Sequence, residues 1–424
     1  MPDKNDALKE IARIIEMYAS SADSEFVEGK SKIKLMEPAF GTEEIVEAID
    51  SFLSGYVSMG EKVRKFEEMF SQYLGVNYST MVNSGSAANL LALSILSEDV
   101  IKNSLKPGEE IITPAITWAT TVYPISDVGA VPVFVDVEPG TYNIDVSKIE
   151  ENLTEKTKVI MPVHLLGNPC DIKEIVDLAK ERNLFVVEDT CEAHGAEYDG
   201  KKVGGFGDIG TFSFYIAHHI TTIEGGMVVT NDEKISELAK SKRVFGWIRD
   251  LKDKNIIKER YKGLDERFLF LKRGFNMRPT EIQGAFGIHQ IKKLDDFIKI
   301  RQDNAAFWSN GLKRYSDVII LPEVKKRASH VWYSYPITIR ADAPFTRKEC
   351  TDFLESRGIE TRPIMAGNMA EQPVINHIKH RKAELPNSEL IMRNGFFFGN
   401  HQAIKKRERE YVLKTICEFM DSKT

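Results

Sequence analysis

Between residues 108 and 230 the chain alternates short β-rich apolar runs with helical patterning. The runs are Glu110-Ile111-Ile112-Thr113, Val131-Pro132-Val133-Phe134-Val135-Asp136, Val159-Ile160-Met161-Pro162-Val163 and Phe185-Val186-Val187-Glu188-Asp189. A helical pattern over 171–182 separates the last two. Strands alternating with helices predict a mainly parallel α/β sheet. After about residue 290 a long helical stretch leads into a second, smaller α/β unit ending near 424. Upstream, 7–20 reads as an amphipathic helix with Leu8, Ile11, Ile14, Ile15 and Met17 at helical spacing. A polar connector over 21–34 follows, then helical patterns at 42–54 and 60–74. The expected organisation is a helical extension over 1–34, a large domain over 35–290 and a small domain over 291–424.

With 424 residues, 42% of them hydrophobic, the chain can bury a large core, and two domains are expected. Net charge is −6 with both signs interspersed, so no basic patch calls for nucleic acid. Met1-Pro2-Asp3-Lys4-Asn5-Asp6 carries no apolar signal core, and no run nears the ~20 apolar residues of a membrane span. A soluble, cytoplasmic protein without a membrane partner is expected. The cysteines are Cys170, Cys191, Cys350 and Cys417. None forms Cys-x-x-Cys, so the spacing gives no zinc signature, and buried small apolar groups are the plain reading.

Several segments carry chemistry only in context. Asn83-Ser84-Gly85-Ser86-Ala87-Ala88-Asn89 opens an apolar helix. Backbone N–H groups and the dipole at a helix start suit a phosphate, although such a start is usually a simple cap. Asp189 closes an apolar strand, where a carboxylate faces the ligand crevice of an open α/β sheet or caps the next helix. Trp118 taken alone is a core residue. His218 and His219 are adjacent, and neighbours in sequence rarely aim at one ion, so no metal is expected.

Ser213-Phe214-Tyr215-Ile216-Ala217-His218-His219-Ile220-Thr221-Thr222-Ile223-Glu224-Gly225-Gly226 resembles the active-site segment of the DegT/DnrJ/EryC1/StrS sugar aminotransferases. These are fold-type I, aspartate aminotransferase-like pyridoxal-phosphate enzymes. In them a lysine stands where this chain has His218. The lysine bonds covalently to the cofactor and then carries a proton; imidazole can do only the second. The same replacement, in an Ala-His-His-Ile-Thr frame, marks the nucleotide-sugar 3-dehydratases. The resemblance spans roughly residues 35–420 and implies a role for each matching residue. Ser86, Ala87 and Ser213 hold the cofactor phosphate. Asn276, in Arg273-Gly274-Phe275-Asn276-Met277-Arg278, reaches that phosphate from the partner subunit of a homodimer. Asp189 keeps the pyridine nitrogen protonated, Glu192 sits beside the ring hydroxyl, and Trp118 stacks on the ring. Arg362, in Glu360-Thr361-Arg362-Pro363-Ile364-Met365-Ala366-Gly367-Asn368, resembles the Arg–Ala-Gly-Asn motif of the 3-dehydratases and suits the carboxylate of an amino donor.

The implied reaction uses pyridoxamine 5'-phosphate and the C4 ketone of a nucleotide-linked 4-keto-6-deoxysugar. His218, a competent base near neutral pH, takes a proton from the cofactor carbon, and the C3 hydroxyl leaves. His218 can then protonate that hydroxyl. Hydrolysis gives a 3-deoxy-4-keto sugar and ammonia, and glutamate restores the pyridoxamine form from pyridoxal 5'-phosphate. A cell-surface polysaccharide is the implied destination. One kind of 3-dehydratase also holds an iron–sulfur cluster on four cysteines, three of them in a short downstream segment. Here Cys191 matches the first, but Arg243–Arg273 contains no cysteine. No cluster is therefore expected, although the N-terminal extension resembles the cluster-bearing kind. The alternatives are a sugar aminotransferase with an unusual base, a dehydratase needing an external reductase, and a non-catalytic binding member. The intact set of Ser86, Trp118, Asp189 and Ser213 argues against the last.

Overall fold

The computed structural model describes residues 3–22, 25–249 and 251–423. Its main sheet has eight strands. Across the sheet they run Tyr78–Val82, Gly226–Thr230, Ile209–Ser213, Phe185–Asp189, Thr157–Ile160, Glu110–Pro114, Val131–Val135 and Arg381–Lys382. All pairings from Ile209–Ser213 onward are parallel, whereas Gly226–Thr230 lies antiparallel to both neighbours. The sheet is therefore mainly parallel, as the sequence rhythm predicts.

Adjacent residues on the strands feed opposite cores. Ile112, Ile160 and Val186 pack with Phe66, Phe70, Phe212 and Phe214 on one face. Ile111, Val159 and Val187 pack with Leu91, Leu93, Ile95 and Leu238 on the other. Side chains alternate across a strand, so continuous apolar runs are what a sheet covered on both faces requires. The helix Gly85–Leu96 is itself nearly all buried, wedged between the sheet and Glu233–Arg243. Its placement fixes its N-terminus against the ends of Ile209–Ser213 and Gly226–Thr230.

A second sheet, ordered Ile319–Ile320, Ser334–Ile339, Gly395–Gly399, Thr361–Pro363, is antiparallel throughout. It packs around Trp308, Tyr335, Phe396, Phe398 and Phe419. The helix Leu294–Leu312 joins the two cores: Ile298 belongs to the first, Ala305, Trp308 and Leu312 to the second. Ile116, Val137, Val163 and Leu165 meet Ile364 and Ile391 in a smaller cluster where the two parts of the chain face each other. Asp136 reinforces that contact. Its carboxylate accepts bonds from the Asn387 amide (2.9 Å), the Ser388 amide (2.8 Å) and the Ser388 hydroxyl (2.6 Å), capping the helix Pro386–Asn394.

The N-terminal helix spans Lys4–Ala22 and leans on Thr42–Ser54 through a Lys4–Asp50 ion pair of 2.5 Å. Beyond it, Phe26 and Ile33 are buried in the second core. Among the described residues no helix is long and apolar enough to cross a membrane.

Candidate active site

A cavity of about 580 Å³ opens at the carboxyl ends of the parallel strands, between the two sheets. Ligands of open α/β sheets bind at that end. Asp189, the last residue of its strand, forms the floor and is 4% exposed. Its Oδ2 accepts hydrogen bonds from Asn89 Nδ2 (2.9 Å) and Thr121 Oγ1 (2.8 Å), and its Oδ1 from the Cys191 amide (3.2 Å). Asn89 is held in turn by Thr211 Oγ1 (2.6 Å), and Thr121 by Thr117 (2.8 Å). A carboxylate so deep persists only when its oxygens are paired. The network fixes its position for a cationic group in the cavity.

The helix start Gly85–Leu96 supplies one end of the cavity. Ser84 caps it, its Oγ accepting from the Ala87 amide at 3.1 Å. The amides of Gly85 and Ser86 lie in the first turn, where no carbonyl of their own helix can pair them. A Cβ on Gly85 would stand 2.4 Å from Ser213 Cβ, and one on Gly226 2.2 Å from the Ser84 carbonyl oxygen. Glycine at both positions lets three chain segments converge on one small cradle, which offers free amides, the Ser86 and Ser213 hydroxyls and a helix dipole. That donor set fits a phosphate. Ala87 contributes less than the sequence implies, because its amide already serves the Ser84 cap. Trp118 is 55% exposed, a large apolar ring left open at the cavity wall, as a stacking partner requires. Floor, cradle and ring together fit pyridoxal or pyridoxamine phosphate.

His218 lines the same cavity. Its Nδ1 is enclosed and has no hydrogen-bond partner among the described residues. Its imidazole packs against Tyr333 (5.5 Å between ring centroids), His194 (5.8 Å) and Tyr215 (6.4 Å). Burial, and then the positive charge of Arg301, hold its pKa down at about 3. His219 is buried behind it, hydrogen-bonded through Nε2 to the Val331 carbonyl at 3.0 Å. Glu192 lines the wall and accepts the Leu166 amide at 2.8 Å. Burial first, and then the nearby Asp189 charge, push its carboxyl up to about 8, so it is protonated at neutral pH.

Arg362 lines the opposite wall from the edge strand Thr361–Pro363, its guanidinium exposed apart from a bond to the Thr361 carbonyl (2.7 Å). The segment after it is tied to the large sheet: the Met369 amide donates to the Ala115 carbonyl at 2.8 Å, close to Trp118 in sequence. Asn276 is exposed and outside the cavity wall of this chain, where its Oδ1 accepts from Arg278 Nε at 3.0 Å. Asn89, Thr121, Gly85, Tyr333 and Arg301 also shape the site, beyond the residues expected from the sequence. Asn89 and Gly85 stand in the quoted motif, so the signal for them was present. The cysteines are dispersed, with Cys191 at the cavity and Cys170, Cys350 and Cys417 elsewhere. Among the described residues no group of three or more His, Cys, Asp or Glu is placed to hold a metal ion.

Residues 38–417 match the DegT/DnrJ/EryC1/StrS aminotransferase family. The chain belongs to this family. The lipopolysaccharide biosynthesis protein RfbH of Salmonella typhimurium is 35% identical over 98% of both chains. GDP-4-keto-6-deoxy-D-mannose 3-dehydratase of Yersinia pseudotuberculosis is 38% identical, covering 82% of this chain and 89% of its own. A crystal structure of GDP-4-keto-6-deoxymannose-3-dehydratase with a trapped PLP-glutamate geminal diamine superposes with a TM-score of 0.85 at 35% identity. It covers 90% of this chain and 99% of its own. The fold expected from the resemblance is thus the fold of the family's solved members, and pyridoxal phosphate is the cofactor that goes with it.

Proposed function

We propose that this chain is a pyridoxal/pyridoxamine-phosphate-dependent dehydratase that removes the C3 hydroxyl of a nucleotide-linked 4-keto-6-deoxysugar. The observation that carries the reading is an imidazole, His218, in the cavity wall of a family member whose relatives at 38% identity are 3-dehydratases. A 3-deoxysugar for a surface polysaccharide is the product that fits a lipopolysaccharide-biosynthesis relative.

Pyridoxamine phosphate supplies an amine for the sugar's C4 ketone and a ring that accepts the electron pair released beside it. The residues do the rest. Ser86, Ser213 and the first-turn amides grip the phosphate, with Asn276 of a second copy completing the grip in a homodimer. Asp189 would pair with the protonated ring nitrogen, and its bonds from Asn89 and Thr121 hold it in place as a carboxylate acceptor. Glu192, protonated near neutral pH, is a donor for the ring hydroxyl. Trp118, exposed at the cavity wall, would stack on the ring. His218 has no amine to bond with the cofactor, so the cofactor stays exchangeable. Burial keeps the imidazole neutral across the physiological range, and Nε2, the nitrogen that is not enclosed, is the one placed to take a proton. Arg362 forks onto the carboxylate of glutamate, which returns the cofactor to its amine form. The enzyme works in the cytoplasm.

The test is purified protein with pyridoxamine phosphate, glutamate and a GDP- or CDP-linked 4-keto-6-deoxyhexose, with products read by mass spectrometry. Loss of one oxygen from the sugar with no reductase added is expected. An amino sugar retaining its C3 oxygen would replace the dehydratase reading with an aminotransferase one.

A further inference from the structure

The cavity has two walls of different origin. The cofactor-fitting groups, Ser86, Trp118, Asp189 and Ser213, come from the large domain; Tyr333, Arg362, Met365 and Phe397 come from the chain after 290. On the second wall Tyr333 packs its ring against both imidazoles, 5.5 Å from His218 and 6.1 Å from His219.

The chain takes trouble to hold Tyr333 there. Its amide donates to the Leu166 carbonyl at 2.8 Å, and its own carbonyl accepts from Arg301 at 2.9 Å. Arg301 is 2% exposed and also meets the carbonyls of Trp332 (3.3 Å) and Asn400. The preceding Trp332 has φ +53°, a left-handed conformation that is costly for an aromatic residue. It is stabilised by its amide bond to His330 Nδ1 (2.9 Å) and by stacking on that ring at 3.9 Å. Strained backbone maintained by a dedicated buried cation argues for a placed side chain. Yet the Tyr333 hydroxyl takes part in no hydrogen bond among the described residues. Phenylalanine would fill the same space, so folding does not use the oxygen. Glu192, Arg301, Tyr215, His218 and His219 are the titratable groups around it.

We propose that the Tyr333 hydroxyl is the acid that meets the departing C3 hydroxyl of the sugar and relays to it the proton taken by His218. The inference rests on the dehydratase reading. His218 accepts one proton from the cofactor carbon. The C3–O bond breaks with its electron pair on oxygen. Tyr333 gives that oxygen its proton, completing one water, and recovers a proton from the His218 imidazolium, directly or through one water. One proton is moved, and no oxidant or reductant enters.

The test is Y333F in the holoenzyme, set beside the wild type in D2O. Four readouts are taken: pyridoxamine phosphate affinity, conversion of the cofactor by glutamate, wash-out of the cofactor-carbon hydrogen in the presence of the nucleotide sugar, and formation of 3-deoxysugar. The expected result is unchanged affinity, unchanged glutamate conversion and persistent wash-out, with dehydration down by about 10²-fold or more, the scale of a lost general acid. Dehydration within threefold of wild type would overturn the assignment. Loss of affinity and wash-out together would overturn it too, by showing a structural role. If the wild type itself removes no oxygen, the dehydratase reading falls and takes this inference with it, so the two failures are told apart by the control.

Discussion

Gly85→Ala sets two effects against each other, and the structure decides between them. On an ordinary helix alanine is favoured over glycine by about 1 kcal/mol. Here the new Cβ would lie 2.4 Å from Ser213 Cβ, 2.8 Å from its Oγ and 3.1 Å from its Cα. Ordinary carbon contacts are about 3.5–4.0 Å, so the helix start and Ser213 must separate by about 1 Å. Both belong to the phosphate cradle. A hydrogen bond of about 2.9 Å stretched by about 1 Å is no longer one. Two charge-assisted bonds at about 1.5–3 kcal/mol each give a loss of about 3–6 kcal/mol, or roughly 10²–10⁴-fold in cofactor affinity. The assay is titration of the apoprotein with pyridoxal phosphate and pyridoxamine phosphate, followed by absorbance, with circular dichroism confirming the fold. Binding within threefold of wild type would refute the cradle argument.

Further outcomes are expected elsewhere in the cavity and at its supports. His218→Asn keeps pyridoxamine phosphate affinity within about threefold while dehydration falls by about 10²–10⁴-fold, the range of a lost general base; equal dehydration rates in a single-turnover assay would exclude His218 as the base. Glu192→Gln tests the raised carboxyl. A folded pKa of about 8 against 4.5 in the unfolded chain means stability is fully present below pH 4.5 and is lost as pH rises towards 8. Chemical denaturation should therefore show the Gln variant gaining on wild type between pH 5 and 8 and levelling off above, and a pH-independent difference would contradict this. Asp136→Ala removes three bonds to the start of Pro386–Asn394 and should cost about 2 kcal/mol or more, seen as a lower unfolding midpoint.

What the sequence disclosed followed from local signals. The helix predicted at 42–54 is Thr42–Ser54, bounded by glycines, the second in the left-handed conformation that ends helices. The four apolar runs each supply a strand because they are short, β-branched and apolar on both faces, although the third strand is Thr157–Ile160 and leaves Met161, Pro162 and Val163 beyond its end. The strand alone left Asp189 between the ligand crevice and a helix cap; the family resemblance chose the crevice, and Asp189 does line the cavity. The strand Arg381–Lys382 was not legible, since two charged residues carry no periodicity and only pairing with Val133 and Phe134 defines them. Arg301 and Tyr333 were equally silent: their meaning arises from contacts to His218, far away in the chain. The reason for Gly85 was also hidden, because a close approach to Ser213 exists only once the sheet has formed.

The central claim is that the cavity expels oxygen from C3 rather than delivering nitrogen to C4. Glutamate labelled with ¹⁵N measures this directly in a reaction with pyridoxamine phosphate and the nucleotide-linked 4-keto-6-deoxysugar. The account predicts the label in free ammonia, one equivalent for each 3-deoxysugar formed. Label retained on the sugar would contradict it and make His218 the base of an aminotransferase.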